Sequence, residues 1–435
     1  MPKKQNRTMP YLLSLEIENI KCFGEKQILS FSNDGKHHAP WTIILGNNGT
    51  GKTTLLELIA GFCNIESIFD VDYPPLYHLS NKYVSFIPKE SSGKINIAIE
   101  RFKETLTRLE IDNGGTIHQK FKNMNEYEYY CFPYSSLRRI GEVKLASTYE
   151  SLLEIFFDED LSLYNPEEWI LQLDYASKGA ETNTEKKLQY QTSLVIKLLI
   201  NALPDVMDIK IANEELRNDV RKRLQFKTPF GWLYLEQMSL GYRTMIAWIA
   251  DLARRMFEFY PDSSDPLSEP AVVLVDEIDL HMHPRWQRDI MSFLSERFPN
   301  TQFIVTAHSP LVVQAAPDLM KEGKEVNIAV LRREGDHVVI DNNPESIWGW
   351  RIDQILASDL YGNLDPYPDN LMKLIEERRQ ILGKGKLTVK DKKRLQEIED
   401  RLPYMPTAES KQDREAMKLI HEIAEDLQDY GKPKS

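Results

Sequence analysis

The sequence predicts an α/β protein with a parallel sheet at its core, and three stretches predict it. Trp41-Thr-Ile-Ile-Leu45 is a short, unbroken apolar run, the mark of a strand covered on both faces. Ala271-Val-Val-Leu-Val275 and Gln302-Phe-Ile-Val-Thr306 repeat that signature, each after a helix-length segment. Strand, helix and strand in that order imply parallel pairing through crossover helices.

The elements follow in order. Leu13, Leu15 and Ile17 alternate on one side, Ile28 and Phe31 form a second run, and two strands joined by a turn at Gly24 fit. A glycine-rich loop and a helix from Thr54 come after Leu45. Between 82 and 135, alternating runs at Ile95, Ile97 and Ile99, at 106–111 and at 126–132 are divided by Ser92-Gly93 and Asn113-Gly-Gly115. They predict an antiparallel meander. Residues 149–213 are helical in pattern, broken at Asn165-Pro166, at 177–184 and at Pro204, and predict a helical lobe. After Pro344 the character changes. A loop at Asp365-Pro-Tyr-Pro368 leads into helices over 369–383, 388–401 and 408–428, and Thr388-Val-Lys-Asp391 reads as a capping box for the middle one. No internal repeat and no long heptad pattern is present.

Composition narrows the class. The chain has 435 residues, 42% apolar and 28% charged, the balance of a globular protein with ample core. Its three cysteines, Cys22, Cys63 and Cys131, show no CxxC spacing, which argues against a disulfide framework and fits a reducing, cytoplasmic setting. No apolar run reaches the roughly 18 residues of a membrane helix. Residues 1–10 are basic without a signal-peptide core and read as a disordered tail. A net charge of −12 excludes a surface that coats nucleic acid everywhere, though not a local basic patch.

Four segments carry chemistry. Gly46-Asn-Asn-Gly-Thr-Gly-Lys-Thr53 matches G-x-x-x-x-G-K-[ST] between a buried strand and a helix. Its glycines let backbone N–H groups turn toward phosphate oxygens, Lys52 adds a mobile charge, and the Thr53 hydroxyl can ligate Mg²⁺. The apolar run 271–275 ends in Asp276 and Glu277; the first is placed to hold Mg²⁺ and the second to polarise an attacking water. His308 ends the next strand and, by its place after the acidic strand, is a candidate sensor of the γ-phosphate; a lone histidine is otherwise more often structural. Ser239-Leu-Gly241 opens a helix, a ready anion site, with an ordinary N-cap as the plainer reading.

In chain order these segments resemble the Walker A, signature, Walker B with D-loop, and switch-histidine elements of ABC ATPases. The signature is Ser-Leu-Gly rather than the transporter Ser-Gly-Gly, and Asp279 in Glu277-Ile-Asp-Leu-His-Met-His-Pro284 stands as the D-loop aspartate. Together with Asn19-Ile-Lys-Cys-Phe23 ahead of the P-loop, this is similar to the branch containing RecF, Rad50, SMC and OLD proteins. The match covers 11–60 and 235–335. It implies an ABC-type P-loop ATPase head over 11–343 with a mixed, largely parallel core, an antiparallel β subdomain and a helical lobe insertion, then a helical region over 344–435. It further implies ATP and Mg²⁺ as cofactors. Gly46, Asn47, Asn48, Gly49, Thr50, Gly51, Lys52, Thr53 and Thr54 hold nucleotide; Thr53 and Asp276 hold metal; Glu277, Lys52 and His308 serve catalysis. Ser239, Gly241 and Asp279 complete the site, with Ser239 and Gly241 reaching it from a second copy in a head-to-tail homodimer or higher oligomer. Arg138 and Arg139 fall where that branch places a nucleotide-responsive loop, without its glutamine. His281, His283 and His308 could instead bind zinc, but no third ligand is spaced for it.

Leu240-Gly-Tyr-Arg-Thr-Met, Ala250-Asp-Leu-Ala-Arg-Arg255 and Trp350-Arg-Ile-Asp-Gln-Ile-Leu356 resemble ATPase subunits of bacterial anti-phage systems, the Septu ATPase, alone or with a retron, and more loosely the PARIS ATPase. That resemblance implies slow ATP turnover and a separate nuclease partner, of HNH or Toprim type. The 344–435 region lacks a Toprim strand–acid pattern, so no nuclease activity of its own is expected. Two other readings stay open: a RecF-like clamp on duplex DNA, and a scaffold that binds ATP with little turnover. DNA contact, if made, would use Arg217-Asn-Asp-Val-Arg-Lys-Arg223, whose plainer reading is a solvated helix face.

Overall fold

A computed structural model describes residues 11–63, 93–99, 107–111, 117–121, 131–141, 156–157, 162–179, 182–216, 219–342, 344, 350–362, 368–384 and 388–401. The tail 1–10, the turn at 113–115, Arg217 and the helix expected over 408–428 lie outside them. The chain divides into two compact units, Met1–Leu364 and Asp365–Ser435.

In the first unit the strands are β1 (Leu12–Glu18), β2 (Gln27–Ser30), β3 (Trp41–Gly46), β4 (Gly93–Ile99), β5 (Thr107–Ile111), β6 (Ile117–Phe121) and β7 (Cys131–Tyr134). They continue as β8 (Asp208–Leu216), β9 (Asp219–Thr228), β10 (Gly231–Tyr234), β11 (Ala271–Val275), β12 (Thr301–Thr306), β13 (Val326–Glu334) and β14 (His337–Asp341). The helices are α1 (Lys52–Cys63), α2 (Pro166–Gly179), α3 (Thr182–Ala202), α4 (Leu240–Phe259), α5 (Pro284–Arg297), α6 (Pro310–Lys321) and the short α7 (Ile352–Leu356).

The central sheet runs β14-β13-β3-β12-β11-β7. Every neighbouring pair from β13 to β7 is parallel, and only β14 is antiparallel. The three apolar runs that announce the fold are its middle, buried at nearly every position. Alternation sends Val273 and Val275 to one face and Val272 and Leu274 to the other. On the second face α1 is sandwiched, its Leu55, Leu56 and Ile59 packed with Ile44, Leu274 and Ile304 and with Leu15, Ile17 and Ile97 of a second, antiparallel sheet, β2-β1-β4-β5-β6. On the first face α4 lays Ile246, Trp248 and Leu252 against Ile43, Val273 and Val305.

Two expectations about this unit are corrected. Of the run at 126–132 only 131–132 lies among the described residues, and it belongs to β7, which joins the core sheet in parallel with β11 rather than the meander. The helical lobe stops at Ala202, and 208–234 forms a three-stranded sheet, β10-β9-β8. Arg221, Lys222 and Arg223 therefore stand on a strand rather than a helix face. Arg223 is taken up by Glu167, Glu214 and Glu236, and Lys222 by Asp174.

The second unit contains α8 (Asp369–Leu382) and α9 (Val389–Glu399). Arg394 forks onto Glu377 at 2.7 and 2.8 Å, and Ile381 and Ile398 are buried. The capping box is present: the Asp391 N–H donates to the Thr388 hydroxyl at 3.1 Å, and the Thr388 N–H to the Asp391 carboxylate at 3.0 Å.

Candidate functional site

The site assembles at the carboxyl ends of β3, β11 and β12, where open parallel sheets place ligands. After β3 the chain turns through Gly46, Gly49 and Gly51, at φ 151°, 78° and 89°. Side chains resist such angles, and at Gly46 and Gly51 space forbids them too. A Cβ on Gly51 would lie 2.8 Å from the Cys22 sulfur and 2.9 Å from the Phe23 ring. This gives Asn19-Ile-Lys-Cys-Phe23 a structural role: it backs the loop. Asn47, Asn48 and Gly49 are exposed and Thr50 is buried, its hydroxyl donating to Asn47 O at 2.8 Å.

Lys52 begins α1 and folds over the loop, donating to Gly46 O at 2.7 Å and Asn47 O at 3.1 Å. Burial pulls its pKa down, against the opposing pull of Asp276, Glu277 and Asp279. Thr53 is exposed and donates to the Asp276 carboxylate at 2.8 Å. Thr54 is buried, its hydroxyl accepting from Lys21 at 3.2 Å.

Asp276 is the hub. Its other oxygen accepts from the Thr306 hydroxyl at 2.6 Å, which in turn accepts from Glu277 N at 2.7 Å. Asp276 N donates to Tyr134 O at 2.9 Å, tying β7 into the site. Glu277 sits at φ 48°, a left-handed turn that few non-glycine residues adopt. Next, the Asp279 carboxylate accepts from His308 N at 3.2 Å, joining the turn after β11 to the end of β12. Gln287 donates to the backbone oxygens of Asp279 and Met282 and accepts from the Ser309 hydroxyl. His283 caps α5 through Arg285 N at 3.3 Å, and no cluster of three metal-ligating groups exists among the described residues.

Ser239 is the N-cap residue of α4 by backbone, yet its exposed hydroxyl makes no capping bond. Gly241 is packed so that a Cβ would run into the carbonyl oxygen of His281, itself at φ 61°. The start of α4 thus rests on the turn after β11. Among the described residues, no hydrogen bond joins Ser239 or Gly241 to the P-loop.

The residues present fit ATP and Mg²⁺. Gly46 and Gly51 leave no room for a side chain, Lys52 stands on the turn, and one hydroxyl and one carboxylate, 2.8 Å apart, are the donor set Mg²⁺ takes when phosphates and waters supply the rest. The sequence reading left Thr306 and Tyr134 out of the site and gave Arg138 no side-chain role. Arg138 is buried, and its Nη2 donates to Glu277 O at 2.7 Å. Burial pushes its pKa down to about 10, against the pull of Asp276, Asp279 and Glu277. A cavity of about 760 Å³ lies elsewhere, lined by Glu167, Arg223, Glu236 and Arg243; it is remote in chemistry from the phosphate-binding turn.

Residues 42–314 match the AAA_21 family, described as "AAA domain, putative AbiEii toxin, Type IV TA system". The chain is similar to a Septu protein PtuA from Bacillus mycoides, 25% identical over 401 residues, covering 90% of this chain and 50% of that one. It is also similar to the Retron Vc95 probable ATPase of Vibrio cholerae, 26% identical over 372 residues, 69% of this chain and 71% of that one. The chain spans half the length of the Septu relative. The SMC head domain from Thermotoga maritima superposes with a TM-score of 0.43 at 14% identity, over 77% of this chain and 99% of that one. No described helix is long and apolar enough to cross a membrane. The family match spans most of the chain and brackets Lys52, Asp276, Glu277 and His308: this protein belongs to the AAA_21 family of AAA domains.

Proposed function

We propose that the chain is an ATP-binding and ATP-hydrolysing switch of the ABC type that closes head-to-tail on a second copy and controls a separate nuclease in anti-phage defence. The observation that carries the reading is the bond chain Thr53–Asp276–Thr306–Glu277. It draws P-loop, acidic strand and switch strand into one site with a carboxylate held in reserve. In this reading Lys52 leaves the loop carbonyls for phosphate oxygens, and Thr53 and Asp276 hold Mg²⁺. Bound Mg²⁺ supplies charge neutralisation at the phosphates. Glu277 orients the attacking water and takes its proton, and the His308 side chain, at the end of the switch strand, senses the terminal phosphate.

Ser239 and Gly241 reach the nucleotide of the partner copy, so ATP holds the pair and hydrolysis releases it. The defence role rests on the Septu and retron relatives, and the nuclease, of HNH or Toprim type, on the anti-phage resemblance. Glu277→Gln tests the core of the proposal. The variant should bind ATP, lose Mg²⁺-dependent phosphate release at least about a hundredfold, and double its mass in ATP on light scattering. Unchanged hydrolysis in this variant defeats the assignment of Glu277.

A further inference from the structure

We propose that Arg138 is a ligand of the terminal phosphate of bound nucleotide and, through its bond to Glu277, the group that couples that phosphate to the base. This rests on the ATPase reading and deepens it. Arg138 follows β7, the edge strand whose Tyr134 carbonyl receives the Asp276 N–H. Its backbone is left-handed at φ 26° and the residue is 3% exposed. One nitrogen, Nη2, donates to Glu277 O; Nε and Nη1 are buried without a hydrogen-bond partner.

A guanidinium offers five N–H donors in a fixed fork. Burying a charged group with donors unmet is costly, and native chains do so rarely outside sites that a ligand completes. Carboxylates are close by, for Asp276, Glu277 and Asp279 act on both Arg138 and Lys52. Two of them are already engaged, Asp276 by Thr53 and Thr306, Asp279 by His308 N. The two cations thus border one acidic cluster, and the unmet donors of Arg138 call for an anionic oxygen from outside the chain. A phosphate oxygen suits the fork. Because the third nitrogen, Nη2, already holds the carbonyl of Glu277, at its own left-handed φ, seating that phosphate also fixes the base.

The test uses the full chain, as wild type, Arg138→Met and Arg138→Lys, titrated calorimetrically with Mg²⁺ and either a non-hydrolysable ATP analogue or ADP. Arg138→Met should weaken the analogue about ten- to a hundredfold while ADP weakens less than about threefold. Its thermal midpoint without nucleotide should hold or rise, since two buried unmet nitrogens are gone. Equal weakening of analogue and ADP, an unchanged analogue affinity, or a lowered midpoint with unchanged discrimination overturns the inference. Should Arg138→Met fail to fold, Arg138→Lys carries the same comparison, with roughly tenfold loss of discrimination expected and equal weakening overturning it. A wild-type chain that binds neither nucleotide overturns the ATPase reading along with this one.

Discussion

At the scale of single residues the site is a set of contacts that nucleotide must exchange. Lys52 donates to Gly46 O and Asn47 O, so the loop is pinned by the side chain that, on the proposed reading, turns to phosphate. Lys52→Ala removes both the pin and the phosphate cation. Charge-assisted bonds are worth roughly 1.5–3 kcal/mol each, so ATP affinity should drop by at least about a hundredfold. Calorimetry with Mg²⁺·ATP checks this, and affinity within a few-fold of wild type would dismiss Lys52 from the site. Thr53→Val makes a finer test, because it removes the hydroxyl 2.8 Å from Asp276 and little volume. It should weaken ATP in Mg²⁺ yet leave metal-free nucleotide binding nearly intact, a split that loss of packing would not produce. These residues were legible in the sequence because each motif is local: glycine turn, lysine and threonine lie within eight positions. Arg138 was legible only by its place in a nucleotide-responsive loop, not as a buried side chain on Glu277, since that contact depends on burial and on the parallel pairing of β7 with β11, whose register partners lie more than a hundred residues apart in the chain.

At the scale of elements, the signature helix α4 is locked to the site through a buried charged node. The Asp251 side chain is fully buried and accepts from Arg255 at 2.7 Å, Arg254 at 3.2 Å and the Tyr134 hydroxyl at 3.1 Å. Burial alone would raise its pKa, but Arg255 and Arg254 win and hold it below the ordinary carboxylate value. A depressed folded pKa contributes stability above the unfolded value, near 4, and that contribution is lost as pH falls through the folded value. Asp251→Ala should therefore cost about 3–5 kcal/mol at neutral pH and shrink the loss of stability that wild type shows below about pH 4. Urea midpoints at both pH values measure it, and a cost under about 1 kcal/mol would mean the node is solvated. Tyr134 belongs to both ends of this link, its hydroxyl on Asp251 and its carbonyl on Asp276. Sequence pattern could not have found it. It also missed the strands over 208–228, reading helix as far as 213 and a solvated helix face over 217–223, because Glu, Leu, Arg and Lys favour helix by propensity, although Ile209, Leu224 and Phe226 face one core at the strand's period of two. In β2 likewise Ile28 is 44% exposed and Leu29 is buried, because pairing with Leu15 turns Leu29 inward.

For the whole molecule, the outstanding matter is what the signature face meets. Leu240 is 53% exposed at the start of α4, beside a Ser239 hydroxyl that caps nothing and a Gly241 seated on the D-loop. An exposed leucine alone is ordinary. Flanked by unspent donors at a helix N-terminus, it suits a surface that closes over a partner's phosphates. Each copy carries a net charge of −12, which opposes association of two copies, so pairing should wait for Mg²⁺·ATP to bridge them. Leu240→Asp places a carboxylate on this face while leaving Lys52, Thr53 and Asp276 untouched. In the Glu277→Gln background it should abolish the ATP-dependent doubling of mass on light scattering. ATP affinity of the single copy should stay within about threefold. Doubling that survives Leu240→Asp would move the pairing surface elsewhere, and loss of ATP binding itself would show that the signature segment acts in its own copy. The same pair of variants sorts the partner. A nuclease recovered in stoichiometric amount with Glu277→Gln in ATP, and lost with Leu240→Asp, recognises the closed pair. One recovered equally with both binds the single chain, and ATP then governs its activity rather than its recruitment.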